Sequence, residues 1–340
     1  MTQKNNKAAP VKSENAATIC RDLSGPEGLT FETVPVEVAK PGEVLIRTNA
    51  VSLNFPDLLM TYGKYQFKPE LPFVIGMEGA GEVVALGDGV TTFHKGDRVI
   101  FKGKTGATRR YTAVAQADVS HAPQNLSYEE AAAFAVTFST AYVSLARRGR
   151  LRPNETVLIT GAGGGVGQAS VAVAKALGAV VVAAASSSDK LAIAEASGAD
   201  HLIDYQQCKL TDAVMAATKG EGVDILLDPV GGDILKPSLA TLKPCGRALI
   251  VGFASGRFGQ VDLKSLRDLG QEIIGVRAGE YGRRNPKAGA SAWDELIELT
   301  ERCDLRPHIG KIWAEDQVKE ALSAMERRDV SGKQVIRLIG

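Results

Sequence analysis

Two hydrophobic patterns divide the chain. Between residues 17 and 135, short apolar runs are interrupted every few positions by glycine and polar turn residues. Residues 44–53 alternate imperfectly and read as a strand. Residues 76–87 read as a strand bent at Gly76, Gly79, Gly81 and Gly87, followed by strands at 96–101 and 111–115. Short strands at this spacing predict a compact β barrel or sandwich. Residues 128–148 then take a helical period, and Ser127 with Glu130 forms a capping box at its start. From residue 157 the pattern alternates. Strands at 157–160, 180–184, 201–204, 223–227, 248–252 and 272–276 are separated by helices starting near Gly167, Ser188, Lys209 and Gly232. Residues 253–271 are a connection with no assigned structure. Helices near 290–302 and 315–327 and a strand at 333–338 end the chain. Repeated βαβ units predict a parallel, doubly wound sheet, so the fold class is α/β.

The chemistry is densest at 157–190. An apolar run leads into Gly161-Ala162-Gly163-Gly164-Gly165-Val166-Gly167, then a helix ending near Gly178, then a second apolar run. Ala162-x-Gly164-x-x-Gly167 fits the dinucleotide fingerprint with alanine in the first place, in the strand–turn–helix–strand setting the fingerprint requires. Without a Cβ, Gly164 lets a pyrophosphate approach the backbone, and Gly167 lets the helix pack close to the strand. The free N–H groups of the helix then face the phosphates. The second strand ends at Ala185, where NAD-binding versions carry an acid for the ribose 2′-OH. Ser186, Ser187 and Lys190 follow instead. Hydroxyls and a cation suit a 2′-phosphate, which predicts NADPH. Ser188 reads as the cap of a helix starting near Asp189.

Composition narrows the class. The 340 residues suffice for two domains, and a net charge of +1 offers no general attraction to nucleic acid or anionic membrane. No apolar run is long enough to span a bilayer. Residues 1–15 are polar, lack the apolar segment of a secretory signal, and read as a disordered extension. Cys20, Cys208, Cys245 and Cys303 are far apart and suggest neither a disulfide framework nor a metal site, which points to a cytoplasmic setting. His94, His121, His201 and His308 show no ligand spacing.

Several further stretches carry a family resemblance. They are Asn54-Phe55-Pro56-Asp57, residues 72–81, Gly96-Asp97-Arg98-Val99, residues 131–137, the glycine turn, residues 198–205 and Gly332-Lys333-Gln334-Val335-Ile336. In this order they make the chain resemble the zinc-independent quinone oxidoreductases of the zeta-crystallin type, in the medium-chain dehydrogenase/reductase superfamily. The resemblance implies a GroES-like β-barrel catalytic domain (16–137 and 280–340) with a Rossmann NADPH-binding domain (138–279) inserted in it. It places the active site in the cleft between them, and homodimers joined edge to edge through the Rossmann sheets, with 272–276 the candidate edge. Zinc-dependent relatives have Cys where Asn54 stands and His where Met77 stands, so no metal is expected. Glu78 then reads as structural.

By the same resemblance Asn54, Asp57, Tyr65 and Thr137 lie near the nicotinamide. Asn54 would hydrogen-bond ribose or substrate, and Thr137 would face the amide or bond back along its own helix. Asp57 would line the site or hold the local turn. Tyr65 is the best protein acid, if its ring does not simply pack. Tyr205 would flank the 2′-phosphate beside Lys190. Gly252, Phe253 and Ser255 follow a strand's carboxyl end, where open parallel sheets bind ligands. Lys333 would reach a phosphate or ribose, or stand solvated before an edge strand. Arg277 occupies a strand end where relatives often carry aromatics, and points to an anionic acceptor or to solvent. Arg109-Arg110 and Arg283-Arg284 read as solvated loop pairs.

Without a Lewis acid to polarise a carbonyl, the acceptor must be an electrophile in its own right. The expected activity is NADPH-dependent reduction of a quinone. Reduction of an α,β-unsaturated carbonyl or enoyl thioester is the alternative within enzymes, and a non-catalytic NADPH-binding protein the alternative outside them. The partner is a small electrophile, not nucleic acid or membrane.

Overall fold

A computed structural model describes residues 14–338. In chain order come β1 (Glu14–Cys20), β2 (Leu29–Pro35), β3 (Glu43–Leu53), α1 (Phe55–Thr61), β4 (Phe73–Val74), β5 (Glu78–Leu86), β6 (Arg98–Lys102), β7 (Tyr111–Ala115), β8 (Val119–His121), α2 (Tyr128–Ala132) and α3 (Ala135–Tyr142). The alternating part follows as β9 (Thr156–Thr160), α4 (Gly165–Ala176), β10 (Val180–Ala185), α5 (Ser188–Ala196), β11 (His201–Asp204), α6 (Leu210–Ala217), β12 (Val223–Asp228), α7 (Leu235–Leu239), β13 (Leu242–Ile250), α8 (Leu263–Leu269) and β14 (Glu272–Gly275). The chain closes with α9 (Ala278–Arg284), α10 (Pro286–Cys303), β15 (Ile309–Trp313), α11 (Val318–Glu326) and β16 (Lys333–Arg337).

Two compact units result: residues 14–136 together with 309–338, and residues 137–308. In the first, a seven-stranded sheet has the order β15-β16-β3-β5-β6-β8, with β7 also on β3, beside a three-stranded sheet β2-β1-β4. β3 pairs with β16, β5 and β7 along its length and is buried on both faces. That enclosure is why its alternation is imperfect. Val44, Ile46, Val51, Val83, Val99, Phe101 and Ile336 fill the interior. In the second unit all six strands are parallel, in the order β11-β10-β9-β12-β13-β14. Helices flank the strands on both faces, and β9, β10 and β12 are therefore apolar runs rather than alternating ones.

Three boundaries differ from expectation. Glu14 and Asn15 begin β1 instead of ending a disordered tail. Asn15 is fully buried, donating to the Tyr111 carbonyl at 2.7 Å and accepting its N–H at 3.0 Å. Residues 1–13 lie outside the described residues. The helix at 128–148 is three pieces, the last (143–148) a π-helix. The return to the barrel unit falls at 308/309, not 279/280. α10 belongs with the sheet because its Glu295 accepts the Tyr142 hydroxyl at 2.6 Å and pairs with Arg147. Burial and then that bond raise the Tyr142 phenol to about 12.

Candidate functional site

The dinucleotide fingerprint folds as its glycines require. Thr160 ends β9, Gly161 turns with φ +59°, and Gly164 is the N-cap of α4. A Cβ on Gly167 would meet the Gly161 carbonyl oxygen at 2.1 Å, so only glycine lets α4 seat against the strand end. At Gly164 an added Cβ would find only the Gly161 oxygen, at 3.4 Å. The protein leaves that face open, as a pyrophosphate cradle needs. Ala162 is fully buried, its N–H donated to the Ala184 carbonyl at 3.1 Å, which ties the turn to β10. Gly165 and Val166 open α4 and present the free N–H groups of its first turn. The residues present fit a bound dinucleotide.

A Cβ on Gly163 would lie 2.5 Å from Lys190 Cβ and 2.7 Å from its Cα. The glycine turn and the start of α5 therefore pack backbone to backbone, which sets Lys190 beside the turn. Its Nζ stands 3.4 Å from Ser186 Oγ. The α5 cap is Ser187, not Ser188: the helix starts one residue early, with Ser187 extended at φ −165°. Ser187 makes no side-chain capping bond, so its hydroxyl stays available beside Ser186 and Lys190. Tyr205 follows β11, half-buried, and donates its N–H to the Ala185 carbonyl at 3.1 Å. Ser186, Ser187, Lys190 and Tyr205 thus gather around the ends of β10 and β11.

The loop after β13 is held from below. Ala254 and Ser255 donate their N–H groups to the carbonyls of Pro229 (3.1 Å) and Val230 (2.9 Å). Ser255 Oγ donates to the Arg257 carbonyl at 3.1 Å and accepts that residue's N–H at 3.2 Å. Phe253 is exposed and stacks edge-on to Phe258, their centroids 4.5 Å apart. Gly252 donates to the Asp228 carbonyl at 3.4 Å.

The barrel unit holds the second cluster. Asn54 is the N-cap of α1, and Asp57 accepts its N–H at 2.8 Å, so Asp57 holds the local turn. Asn54 Nδ2 donates to Glu78 Oε1 (2.9 Å) and to the Ser52 carbonyl (3.3 Å). Lys333 Nζ donates to Asn54 Oδ1 (2.7 Å), Glu78 Oε1 (3.1 Å) and the Leu53 carbonyl (3.3 Å). Glu78 Oε2 accepts the Val136 N–H at 2.7 Å, where α3 starts. Lys333 and Glu78 are 3% and 0% exposed in their side chains. Lys333 is therefore neither solvated nor at the start of an edge strand: β16 lies between β15 and β3, and all three ammonium donors have protein acceptors. A phosphate or ribose could reach this lysine only at the expense of one of them. Burial raises the Asp57 carboxyl to about 7, against the pull of the Asn54 N–H and Lys333.

These residues do not make a zinc site. Tetrahedral zinc takes thiolate, imidazole and carboxylate donors. Here an amide and a thioether, Asn54 and Met77, stand with a carboxylate already bonded to an ammonium. Among the described residues no three of His, Cys, Asp and Glu come together as a ligand group.

Tyr65 is half-buried against the barrel core, and Thr137 is buried in α3. Arg277 is exposed at the N-cap of α9. Arg109 and Arg110 are not solvated: Arg109 pairs with Glu37 at 2.6 Å, and Arg110 makes a two-pronged pair with Glu315. Arg283 and Arg284 do lie exposed, paired with Glu280.

The comparisons agree with this architecture. Residues 40–137 match the family described as alcohol dehydrogenase GroES-like domain, and 165–301 the family described as zinc-binding dehydrogenase. A "quinone oxidoreductase-like protein 2 homolog" from Nematostella vectensis is 34% identical over 94% of this chain and 88% of its own. A crystal structure titled NAD-dependent alcohol dehydrogenase superposes with a TM-score of 0.87 at 29% identity, over 96% of this chain and all of that one. A mycobacterial protein complexed with NADPH does so at 0.86 and 27%, over 95% and 99%. The fold and the site define an oxidoreductase that uses a nicotinamide cofactor. The chain belongs to the medium-chain dehydrogenase/reductase family, among relatives named quinone oxidoreductase-like.

Proposed function

We propose that the protein is a zinc-independent, NADPH-dependent reductase of quinones. The observation that carries this reading is the closed hydrogen-bond set of Asn54, Glu78 and Lys333. It places an internal ammonium where a catalytic metal would need a free carboxylate. No Lewis acid then polarises the acceptor, which must be electrophilic unaided, as a quinone is. The bound nicotinamide supplies the hydride. The protein's own work is to bind, orient and protonate. Gly164 and the α4 N-terminus hold the pyrophosphate. Lys190, Ser186 and Ser187 hold the 2′-phosphate, and no carboxylate at the β10 end repels it. Thr137 orients the nicotinamide amide, and Tyr65 serves as the protein acid for the reduced acceptor. The NADPH complex of the mycobacterial relative supports the cofactor assignment.

The proposal extends to assembly: two copies pair through β14. This strand is the last of the six-stranded sheet, with one open edge, and α8, which precedes it in the chain, has no buried residue.

NADPH oxidation with a quinone, an enone and an enoyl-CoA tests the acceptor. Fastest turnover is expected with the quinone. Preference for the enone or enoyl-CoA transfers the activity to double-bond reduction. Tight NADPH binding without turnover of any acceptor overturns an enzymatic role.

A further inference from the structure

Asp228 ends β12, is fully buried, and among the described residues makes no ion pair. Its Oδ1 accepts the Thr160 hydroxyl at 2.5 Å, the Val230 N–H at 2.9 Å and the Gly231 N–H at 3.1 Å. Oδ2 accepts the Gly231 N–H at 3.1 Å, and the Asp228 carbonyl accepts the Val251 N–H at 2.9 Å. Three strand ends therefore meet on this residue. They are β9 through Thr160, next to the glycine turn, β12 itself, and β13 through Val251 and Gly252.

The turn it holds needs holding. Gly231 (φ +65°, ψ −155°) and Gly232 (φ +62°) are in conformations open to glycine, and glycine pays the largest entropic cost on ordering. That turn in turn carries residues 254 and 255 on the carbonyls of Pro229 and Val230. An added Cβ at Gly161 would meet Val230 Cγ2 at 2.7 Å, so the same turn also packs against the fingerprint.

The topology says which half of the cofactor this concerns. The strand order runs outward from β9 to β10 on one side and from β12 to β13 on the other, so the crevice opens between β9 and β12. The ribose-phosphate end lies toward β10, with Ser186 and Lys190. The other half must then extend over the ends of β12 and β13, where the loops hung on Asp228 lie.

We propose that Asp228, with Thr160, is the positioning residue for the nicotinamide half of the cofactor site. It touches no cofactor atom; it sets the 229–232 and 252–255 backbones that do. The inference needs a bound dinucleotide but not the 2′-phosphate assignment.

The test is calorimetric binding of whole and half cofactor to Asp228→Asn, Thr160→Val and Thr160→Ser. Asp228→Asn can keep the Oδ1 bonds through its amide oxygen, but it removes the negative charge and turns Oδ2 into a donor against the Gly231 N–H. It should weaken NADPH roughly ten- to a hundredfold while adenosine 2′,5′-bisphosphate, which lacks the nicotinamide, stays within about twofold. Thr160→Val should show the same split more weakly, and Thr160→Ser should bind as wild type. Unchanged NADPH binding, or equal loss of both ligands, overturns the proposal. If Asp228→Asn does not fold, Thr160→Val decides by the same split. If the wild type prefers NADH, the NADPH reading fails separately, and the split is read with NADH against ADP.

Discussion

Lys190 and Asp57 carry the sharpest predictions at the scale of single residues. Lys190→Ala removes a charge-assisted contact to a 2′-phosphate of about 1.5–3 kcal/mol. NADPH should weaken by about one to two orders of magnitude and NADH hardly at all, measured by cofactor fluorescence titration. Equal losses would refute the 2′-phosphate assignment. Asp57 tests the barrel cluster. Its carboxyl titrates near 7 in the folded chain, above an ordinary value of 3.8. Between those values the folded state binds the extra proton, so stability should fall as pH rises from about 4 to 7, by on the order of 4 kcal/mol, and level off above. Asp57→Asn keeps an acceptor for the Asn54 N–H and removes the titration. Denaturant midpoints of the variant should lose that slope; a slope unchanged from wild type would place the proton elsewhere.

At the scale of elements, the sequence was most informative where one strong local rule governs. The capping box appears as expected, with Ser127 donating its N–H to Glu130 at 2.7 Å and Glu130 its N–H to Ser127 Oγ at 3.2 Å. The strand at 201–204 and the one at 111–115 have the predicted ends, and the six parallel strands were all legible from alternation of period. β1, β2, β4, β8 and β15 were not. β1 is mostly buried and the others are short or half-exposed, and what makes each a strand is pairing with a partner outside its own segment. The site divides the same way. The glycine turn and Lys190 are neighbours through sequence-local geometry. The Lys333–Glu78 pair joins residues far apart in the chain, and nothing local shows that β16 lies in the sheet interior. A usable signal existed: Glu78 opens a strand that is apolar but for Glu82, and a buried carboxylate calls for a partner. Asp228, a carboxylate ending an apolar run before Pro-Val-Gly-Gly, was a similar signal. Lys333→Met should cost about 3–5 kcal/mol in thermal or denaturant unfolding, because it leaves Glu78 buried and uncompensated. A loss below about 1 kcal/mol, the range of exposed pairs, would contradict the buried pairing.

For the whole molecule, two units have separate cores. The sheet unit has the features of a nicotinamide site and the barrel unit supplies a buried, internally neutralised polar cluster. Among the described residues no helix is long and apolar enough to cross a membrane. Light scattering should report a dimer, and a proline at Ile273 or Ile274 of β14 should shift it to monomer if that edge is the joint. Metal-free, NADPH-driven reduction is checked by the rates of NADPH and NADH oxidation with a quinone, on protein treated with a strong chelator. Turnover is expected to survive chelation, and kcat/KM to favour NADPH by about tenfold or more. Activity lost with the metal, or NADH used as well as NADPH, would contradict it.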